Sequence, residues 1–278
     1  MADLPEVLQL DPAGDNTHFS VRQPSESAEG RDVVFSGQYL AQMIMAADAA
    51  HESQKDVRSI HAVFARPGTY TRPIDIEVEI VQNGRAWAND TITAVQDGKV
   101  LSRGMVLLNT VEGDLLRHEM PAPSFGGPDD AKPAAGLLFP GAEVREVDDP
   151  KLEIEGARGM ATWVRYPDEL DSVAANQAVL AWGTNGALIG LAMRDSGVDI
   201  AQAHRTISTG VIAQTIHFVE RFDVSQWHLM TQHVIHAGNG RVHGRGLVHT
   251  QDGRLVATFH QDAMARKIEG ELDPRRAM

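Results

Sequence analysis

The segments Ser59-Ile60-His61-Ala62-Val63 and Thr215-Ile216-His217-Phe218-Val219 lie 156 residues apart and share the order hydroxyl, Ile, His, apolar, Val. Two further pairs keep this spacing: Asn83-Gly84-Arg85 with Asn239-Gly240-Arg241, at 156 residues, and Gln96-Asp97-Gly98 with Gln251-Asp252-Gly253, at 155 residues. A single match would be noise, because Asn-Gly and Asp-Gly are favoured hairpin turns. Three matches in one order predict that the chain contains two copies of one unit.

Each copy reads as a helix followed by an antiparallel meander. Apolar and acidic residues alternate from Ile74 to Ile80, as in a strand with one buried face. Upstream, residues 35–50 carry an apolar stripe at helical spacing. Residues 173–193 are apolar almost all round, which predicts a buried helix. The Asn185-Gly186 pair either breaks this helix or marks the start of its buried segment. The predicted fold class is α+β, with a long helix wrapped by a sheet in each half.

The segment from Pro121 to Pro140 is rich in Pro, Gly and Ala and predicts a linker. We place the boundary near residue 135, which gives an N-terminal domain of residues 1–135 and a C-terminal domain of residues 136–278.

Composition excludes several classes of function. The net charge of −13 argues against a broad surface for nucleic acid or an anionic membrane. The absence of cysteine excludes disulfides and thiolate chemistry. No stretch approaches the roughly 20 apolar residues that span a bilayer, and the N-terminus does not read as a secretory signal. We therefore expect a cytoplasmic protein with no membrane partner.

The ordered motifs of both halves resemble the acyl-CoA thioesterase II family, which has two fused hot-dog domains. The resemblance runs from about residue 17 to 267. It rests on four groups of residues: Phe35-Ser36-Gly37-Gln38 with Gln42; Ser59-Ile60-His61 with Phe64 and Arg66-Pro67-Gly68; Ile216-His217-Phe218 with Arg221-Phe222 and Trp227; and Thr250-Gln251-Asp252-Gly253 with Gln261.

The resemblance implies a double hot-dog with its two sheets side by side, and an enzyme that hydrolyses fatty acyl-CoA to free acid and CoA. Family members use an Asp on the second helix, a Thr or Ser on the next strand and a Gln on the last strand to hold and activate water. A helix-start N–H polarises the carbonyl, as unpaired helix donors favour negative charge. No cofactor is implied.

This chain keeps only part of that pattern. The Asp position falls on Asn185, the Thr/Ser position on Val211, and only Gln261 is retained. An amide does not take a proton from water near neutral pH, and losing a general base forfeits about 10²–10⁴-fold in rate. Thr209 and Thr215 lie at even spacing from Val211, so a regular strand would present either hydroxyl on the same face.

Three interpretations follow: a slow thioesterase, a thioesterase with a relocated base, and a catalytically impaired protein that binds acyl-CoA or an acyl carrier. A hot-dog dehydratase or hydratase acting on enoyl thioesters ranks last, because such enzymes need a His with a carboxylate at the helix and neither Gln38 nor Asn185 supplies one. The predicted substrate-binding residues, from both helix starts and the strands that follow them, are Gly37, Gln38, Gly186, Val211 and Arg66.

Other singled-out features have structural explanations. The second half is rich in histidine, but no H-E-x-x-H or related metal motif is present, so we predict no metal site. No G-x-S-x-G elbow marks a serine hydrolase. Because hot-dog units have large sheet faces to bury, we predict a homo-oligomer.

Overall fold

The computed structural model describes residues 5–21, 23, 32–134, 140–149 and 152–268. These residues form fourteen strands: β1 Asp11–Pro12, β2 His18–Val21, β3 Asp56–Phe64, β4 Ile74–Asn83, β5 Trp87–Gln96, β6 Lys99–Asn109, β7 Lys132–Pro133, β8 Glu143–Glu146, β9 Glu153–Ile154, β10 Ala157–Arg165, β11 Ile207–Phe218, β12 His228–Gly238, β13 Arg241–Thr250 and β14 Leu255–Lys267. The α-helices are α1 Ser36–Ala50, α2 Val173–Gly183 and α3 Ala187–Asp195, and short 3-10 turns cover Glu6–Leu8, Pro128–Asp130 and Ile200–Gln202.

The strands join into one sheet, with β9 paired to β10 beside it. The order is β1-β2-β4-β5-β6-β3-β11-β14-β13-β12-β10-β8-β7, and every named pair is antiparallel. The halves meet where β3 pairs with β11, and there Ile60 lies directly opposite Ile216. These two residues occupy equivalent positions in the repeat and are fully buried. The two copies are therefore related by an approximate twofold axis at this strand pair. The predicted α+β double hot-dog with side-by-side sheets is confirmed.

Helix α1 matches the predicted apolar stripe. Leu40, Met43 and Ile44 are fully buried and face the sheet of the first half. The other side of the helix lies against α2, and the backbones of the two helices approach each other closely there. A side chain added at Gly37 would come 2.9 Å from the Trp182 carbonyl oxygen and 2.6 Å from the Phe35 ring. Glycine at this position therefore lets the two helices pack together.

The second helical segment is two helices, so the single pattern over residues 173–193 was wrong. Helix α2 begins at a side-chain cap, because Ser172 Oγ accepts a hydrogen bond from Ala175 N at 3.3 Å. It ends at Thr184, and α3 starts after Gly186, whose φ is 95°. That left-handed conformation favours glycine and turns the chain. Of the two roles considered for Asn185-Gly186, the structure shows the break.

One member of each repeated turn pair forms a tight two-residue hairpin. Asp97-Gly98 and Asn239-Gly240 have positive φ at both residues, as tight two-residue hairpins require. The linker contains an extended stretch, the 3-10 turn and β7. The boundary near residue 135 lies outside the described residues and stays a prediction. Within the described ranges, no helix has the length and apolar character needed to cross a membrane.

Candidate functional site

A cavity of about 1000 Å³ lies where the two halves meet. Both halves contribute to its wall: the start of α1 and the end of β3 from the first, and α3, β8, β10, β11 and β12 from the second. We divide it into three regions defined by their residues. The helix-start junction is Ser36, Asn185 and Gly186; the cationic mouth is Arg66, Arg205 and Arg266; and the apolar lobe is Val144, Met160, Val164, Leu191 and Met230.

The helix-start junction joins the two halves through a short hydrogen bond. Ser36, the first residue of α1, donates from Oγ to Asn185 Oδ1 at 2.6 Å. Asn185 is 1% exposed and lies at the break between α2 and α3. Its Nδ2 donates to Gln214 Oε1 on β11 at 2.8 Å. Both polar atoms of Asn185 are thus fixed by protein partners, which orients the amide toward the cavity that it lines.

A second layer of amides supports Asn185. Gln261 Nε2, on β14, donates to Gln214 Oε1 at 2.9 Å. Gln214 Nε2 donates to Thr184 Oγ1 at 2.6 Å, and Thr184 Oγ1 donates to the Ala181 carbonyl at 2.8 Å. Gln214 and Gln261 are each 1% exposed and neither lines the cavity. Gln261 is therefore linked to Asn185 through Gln214 and lies behind the residues that line the cavity.

This network is neutral throughout. Amides and hydroxyls hold, accept and donate hydrogen bonds, but none of them takes a proton near neutral pH. The described residues of the junction include no carboxylate or imidazole. The junction can therefore orient a water and a carbonyl, but it lacks a general base.

The start of α3 adds backbone donors. The first N–H groups of a helix have no partner within it, and they favour negative charge nearby. Gly186 and Ala187 line the cavity at this end, and no side chain caps the helix. An oxygen that gains negative charge at this point would be stabilised, as in an oxyanion hole.

The strand after α3 carries two of the predicted site residues. Val211, 8% exposed, lines the cavity, so the predicted family position does face it. Thr209, 2% exposed, also lines the cavity, two residues earlier on the same face. Thr209 and Gln214 lie opposite Ala265 and Gln261, which are four residues apart on β14, so at roughly 3.3 Å per residue they are on the order of 13 Å apart along the sheet. The Thr209 hydroxyl lies 3.3 Å from His204 Nε2, which lines the same wall.

Thr215 is not in the site. A bulge between Val211 and Ala213 shifts the register, so the alternation of faces reverses beyond it. Gln214 then points inward and Thr215 outward, where its Oγ1 lies 2.7 Å from His61 Nδ1. The even-spacing argument that placed Thr215 beside Val211 fails because it assumed a regular strand.

The first-half residues divide in the same way. Arg66 lies in the cationic mouth and donates to the Val100 carbonyl at 2.7 Å. Gly37 and Gln38 do not line the cavity. Gly37 allows the close approach of α1 to α2, and Gln38 Nε2 donates to Gln23 Oε1 at 2.7 Å. The structure thus brings Gly186, Val211 and Arg66 to the cavity with Asn185.

The apolar lobe extends away from the mouth, between α3 and the strands β8, β10 and β12. Its outer end holds the ion pair of Arg194 Nη1 and Glu146 Oε1, which are 3.2 Å apart and partly exposed. Near the mouth, burial raises the pKa of Tyr39, so its hydroxyl stays protonated across the neutral range. The cavity therefore offers positive charge at one end and apolar walls at the other.

Sequence reasoning missed Thr184, Gln214, His204 and Gln232 as residues of the network or the wall. Gln214 was not predicted because the bulge that turns it inward has no signal in the sequence. Gln232 sits in β12, where nine-tenths or more of each of six successive side chains is buried. Because both faces of this strand are buried, its sequence does not alternate between apolar and polar residues. The sequence therefore does not show which side chains face the cavity.

Two family models together match most of the chain. The acyl-CoA thioesterase N-terminal domain matches residues 23–109, and the acyl-CoA thioesterase C-terminal domain matches residues 119–265. Acyl-CoA thioesterase 2 of Haemophilus influenzae is 25% identical over 85% of this chain and 88% of its own.

Solved structures agree on the fold. An acyl-CoA thioesterase II from Mycobacterium marinum superposes with a TM-score of 0.79 at 24% identity, covering 96% of this chain and 98% of its own. A hot-dog protein from Alicyclobacillus acidocaldarius has a TM-score of 0.72 at 20% identity, covering 95% and 98%. These likenesses show the fold.

Proposed function

The chain belongs to the acyl-CoA thioesterase family, and from this premise we propose that it hydrolyses fatty acyl-CoA thioesters to a free acid and CoA. One observation carries the proposal: a single cavity joins an arginine mouth, two converging helix starts and an apolar lobe. CoA is a phosphorylated carrier, a thioester is a polar centre, and a fatty chain is apolar. The three regions match these three parts in order.

The cationic mouth supports binding of the CoA end. Arg66, Arg205 and Arg266 are exposed at the cavity edge, and arginine suits phosphate because its planar group donates two parallel hydrogen bonds. This local cluster occurs in a chain with a net charge of −13. A local excess of positive charge on an acidic protein guides an anionic ligand to this opening.

The helix-start junction supports the chemical step. The water oxygen bonds to the thioester carbonyl carbon, and the carbonyl oxygen takes negative charge beside the N–H groups of α3. The carbon–sulfur bond then breaks, and the CoA thiolate takes up a proton. Asn185, held by Ser36 and Gln214, orients the attacking water. Because no base at the junction takes the water proton, the water loses it to solvent and attacks as hydroxide.

Slow, pH-dependent turnover follows from this arrangement. Without a general base, hydroxide is the effective nucleophile, so kcat should rise about tenfold per pH unit and reach no plateau near neutrality. The relocated-base interpretation has His204 as its candidate on the described wall of the cavity, beside Thr209. A bell-shaped or plateaued pH profile of kcat that is lost in the His204→Gln variant would favour that interpretation.

Release of free CoA thiol from acyl-CoAs of two to sixteen carbons tests the proposal. A matched pair of variants shows whether turnover uses the cavity. Gly190 lines it, and an added side chain would meet only Ile200 at 3.6 Å, so Gly190→Phe fills space without a clash at Cβ. Gly113→Phe adds the same ring at an exposed position. Loss of long-chain turnover in the first variant alone supports the proposal, and no turnover above buffer by the wild type refutes it.

The second candidate function is a protein that binds acyl-CoA or an acyl carrier without hydrolysis. The observation that favours it is the neutral junction, in which Asn185 and Val211 stand where the family resemblance implies a carboxylate and a hydroxyl. Binding of a non-hydrolysable acyl-CoA thioether combined with absent turnover would establish it. Rapid turnover by the wild type would exclude it.

A further inference from the structure

A buried amide in the wall of the cavity has no use in the proposed chemistry. Gln232, on β12, is 1% exposed, and its Oε1 has no hydrogen-bond partner among the described residues. It lines the cavity in the region of the apolar lobe, next to Met160 on the neighbouring strand β10. A buried polar atom without a partner destabilises the protein unless a ligand group occupies the position beside it.

The surroundings keep the amide open toward the cavity. On the other neighbouring strand, β13, Gln232 faces Gly246, which has no side chain to meet it. A Cβ at Gly246 would lie 2.4 Å from the Phe259 ring, so that ring fills the space beside the strand. Neither neighbouring strand therefore offers a polar side chain at the position opposite Gln232.

A hydroxyl lies on the same wall. Thr162, on β10, is 7% exposed and lines the cavity, and its side-chain hydroxyl has no hydrogen-bond partner among the described residues. It is two residues from Met160, the cross-strand partner of Gln232, so the two side chains are diagonal neighbours on one face. An amide and a hydroxyl thus stand together on a wall that includes Met160, Val164 and Met230. Glu146, which is ion-paired with Arg194, lies opposite Thr162 on β8.

This pair lies far from the helix-start junction. The sheet register places Gln214 opposite Gln261, then Gly244, then Val234, and Gln232 is two residues beyond Val234. With strands about 4.8 Å apart and a rise of about 3.3 Å per residue, Gln232 lies on the order of 15 Å from Gln214. A group that meets Gln232 therefore lies well along the acyl chain.

We infer that the acyl chain of the substrate carries a hydroxyl group remote from the thioester, and that Gln232 and Thr162 bind it. This inference rests on the proposed acyl-CoA ligand. A hydroxyl both donates and accepts, so it can satisfy the amide whichever way the amide is turned. A plain chain leaves the buried amide unpaired, and sites built for a hydroxyl reject the analogue that lacks it.

Matched acyl-CoA pairs of eight, ten and twelve carbons, each with and without a terminal hydroxyl, provide the test. The wild type should favour the hydroxylated member by about 10–100-fold in kcat/KM at one or more lengths. Gln232→Leu should reverse that preference, and Thr162→Val should weaken it. Calorimetric binding of the same pairs as thioethers gives the ratio even without hydrolysis, which separates this inference from the proposed function.

Thr231→Val is the control. Thr231 is the next residue on β12, is 1% exposed and has an Oγ1 without a partner, but it does not line the cavity. Its loss should leave the preference unchanged. Equal binding of hydroxylated and plain chains by the wild type would overturn the inference, because solvent would then satisfy the amide. A Gln232→Leu variant that loses both substrates equally, while melting cooperatively, would also overturn it.

Discussion

Replacing Asn185 with aspartate should convert the neutral junction into one with a general base. The side chains have the same shape, so Ser36 Oγ can keep donating to Oδ1, as it does over 2.6 Å now. The other oxygen needs a donor where Nδ2 now gives a hydrogen bond to Gln214. Gln214 supplies one by turning its amide, and Thr184 then donates to the Gln214 oxygen.

The expected gain is large compared with its cost. A positioned base contributes about 10²–10⁴-fold. Two effects oppose this gain. Gln261 Nε2 now donates to Gln214 Oε1 at 2.9 Å, so the Gln261 amide must turn when the Gln214 amide does. The substitution also buries a new charge at position 185, which is 1% exposed. That rearrangement costs about 1–3 kcal/mol of unfolding free energy. Burial raises the pKa of such a carboxyl, which brings it nearer to neutral pH, where a base is most effective.

The assay is thiol release from one acyl-CoA between pH 5.5 and 9 for the wild type, Asn185→Asp and Asn185→Ala. Asn185→Asp should be at least 100-fold faster at pH 7 and should show a plateau above the pKa of the new carboxyl. Asn185→Ala should fall below the wild type because water loses its orientation. Asn89→Asp adds the same charge on β5, outside the cavity, and should change nothing. A cooperatively folded Asn185→Asp no faster than the wild type would refute the reasoning.

Three further predictions concern stability and binding. His51 Nε2 lies 3.0 Å from Asp90 Oδ1, and both side chains are fully buried. His51→Ala should therefore lower the free energy of unfolding in urea by about 3 kcal/mol. The control His18→Ala, at an exposed pair, should change it by under about 0.5 kcal/mol. Burial lowers the pKa of His228, so the folded protein favours the neutral ring. The stability that this group contributes above about pH 6.5 should therefore be lost as the pH drops toward 5. A urea midpoint that does not change between pH 7 and pH 5 would contradict this. Arg205→Ala should raise KM for acyl-CoA several-fold and weaken its salt dependence with kcat unchanged, and an unchanged KM would remove this arginine from the mouth.

The predicted strand faces and turns depended on local rules that the fold obeys. Ile74 and Ile76 alternate with exposed acidic residues, as expected, since one face of β4 covers the core. The Asp97-Gly98 turn forms because only residues that tolerate positive φ close a two-residue hairpin. Such features depend on the residue and its near neighbours, which is why they can be read from the chain.

The site was predictable only in part. Asn185, Gly186 and Val211 reach the cavity from positions that the family resemblance had marked. Thr215 does not, because one bulge in β11 reverses the alternation of faces. No local pattern marks this bulge, because the β14 residues that pair beside it, Asp262 and Ala263, lie 49 and 52 residues further along the chain than their partners.

The sequence by itself determined the two-copy architecture, since the repeated motifs fix turns, strand faces and buried helices through local geometry. It also places an amide at position 185, where the family resemblance implies a carboxylate. Only the tertiary structure decided what replaces it: Asn185 meets Ser36 from the other copy, and Gln214 joins Asn185 to Gln261. Those contacts span up to 149 residues and depend on helix packing and strand register, which short-range sequence patterns do not encode.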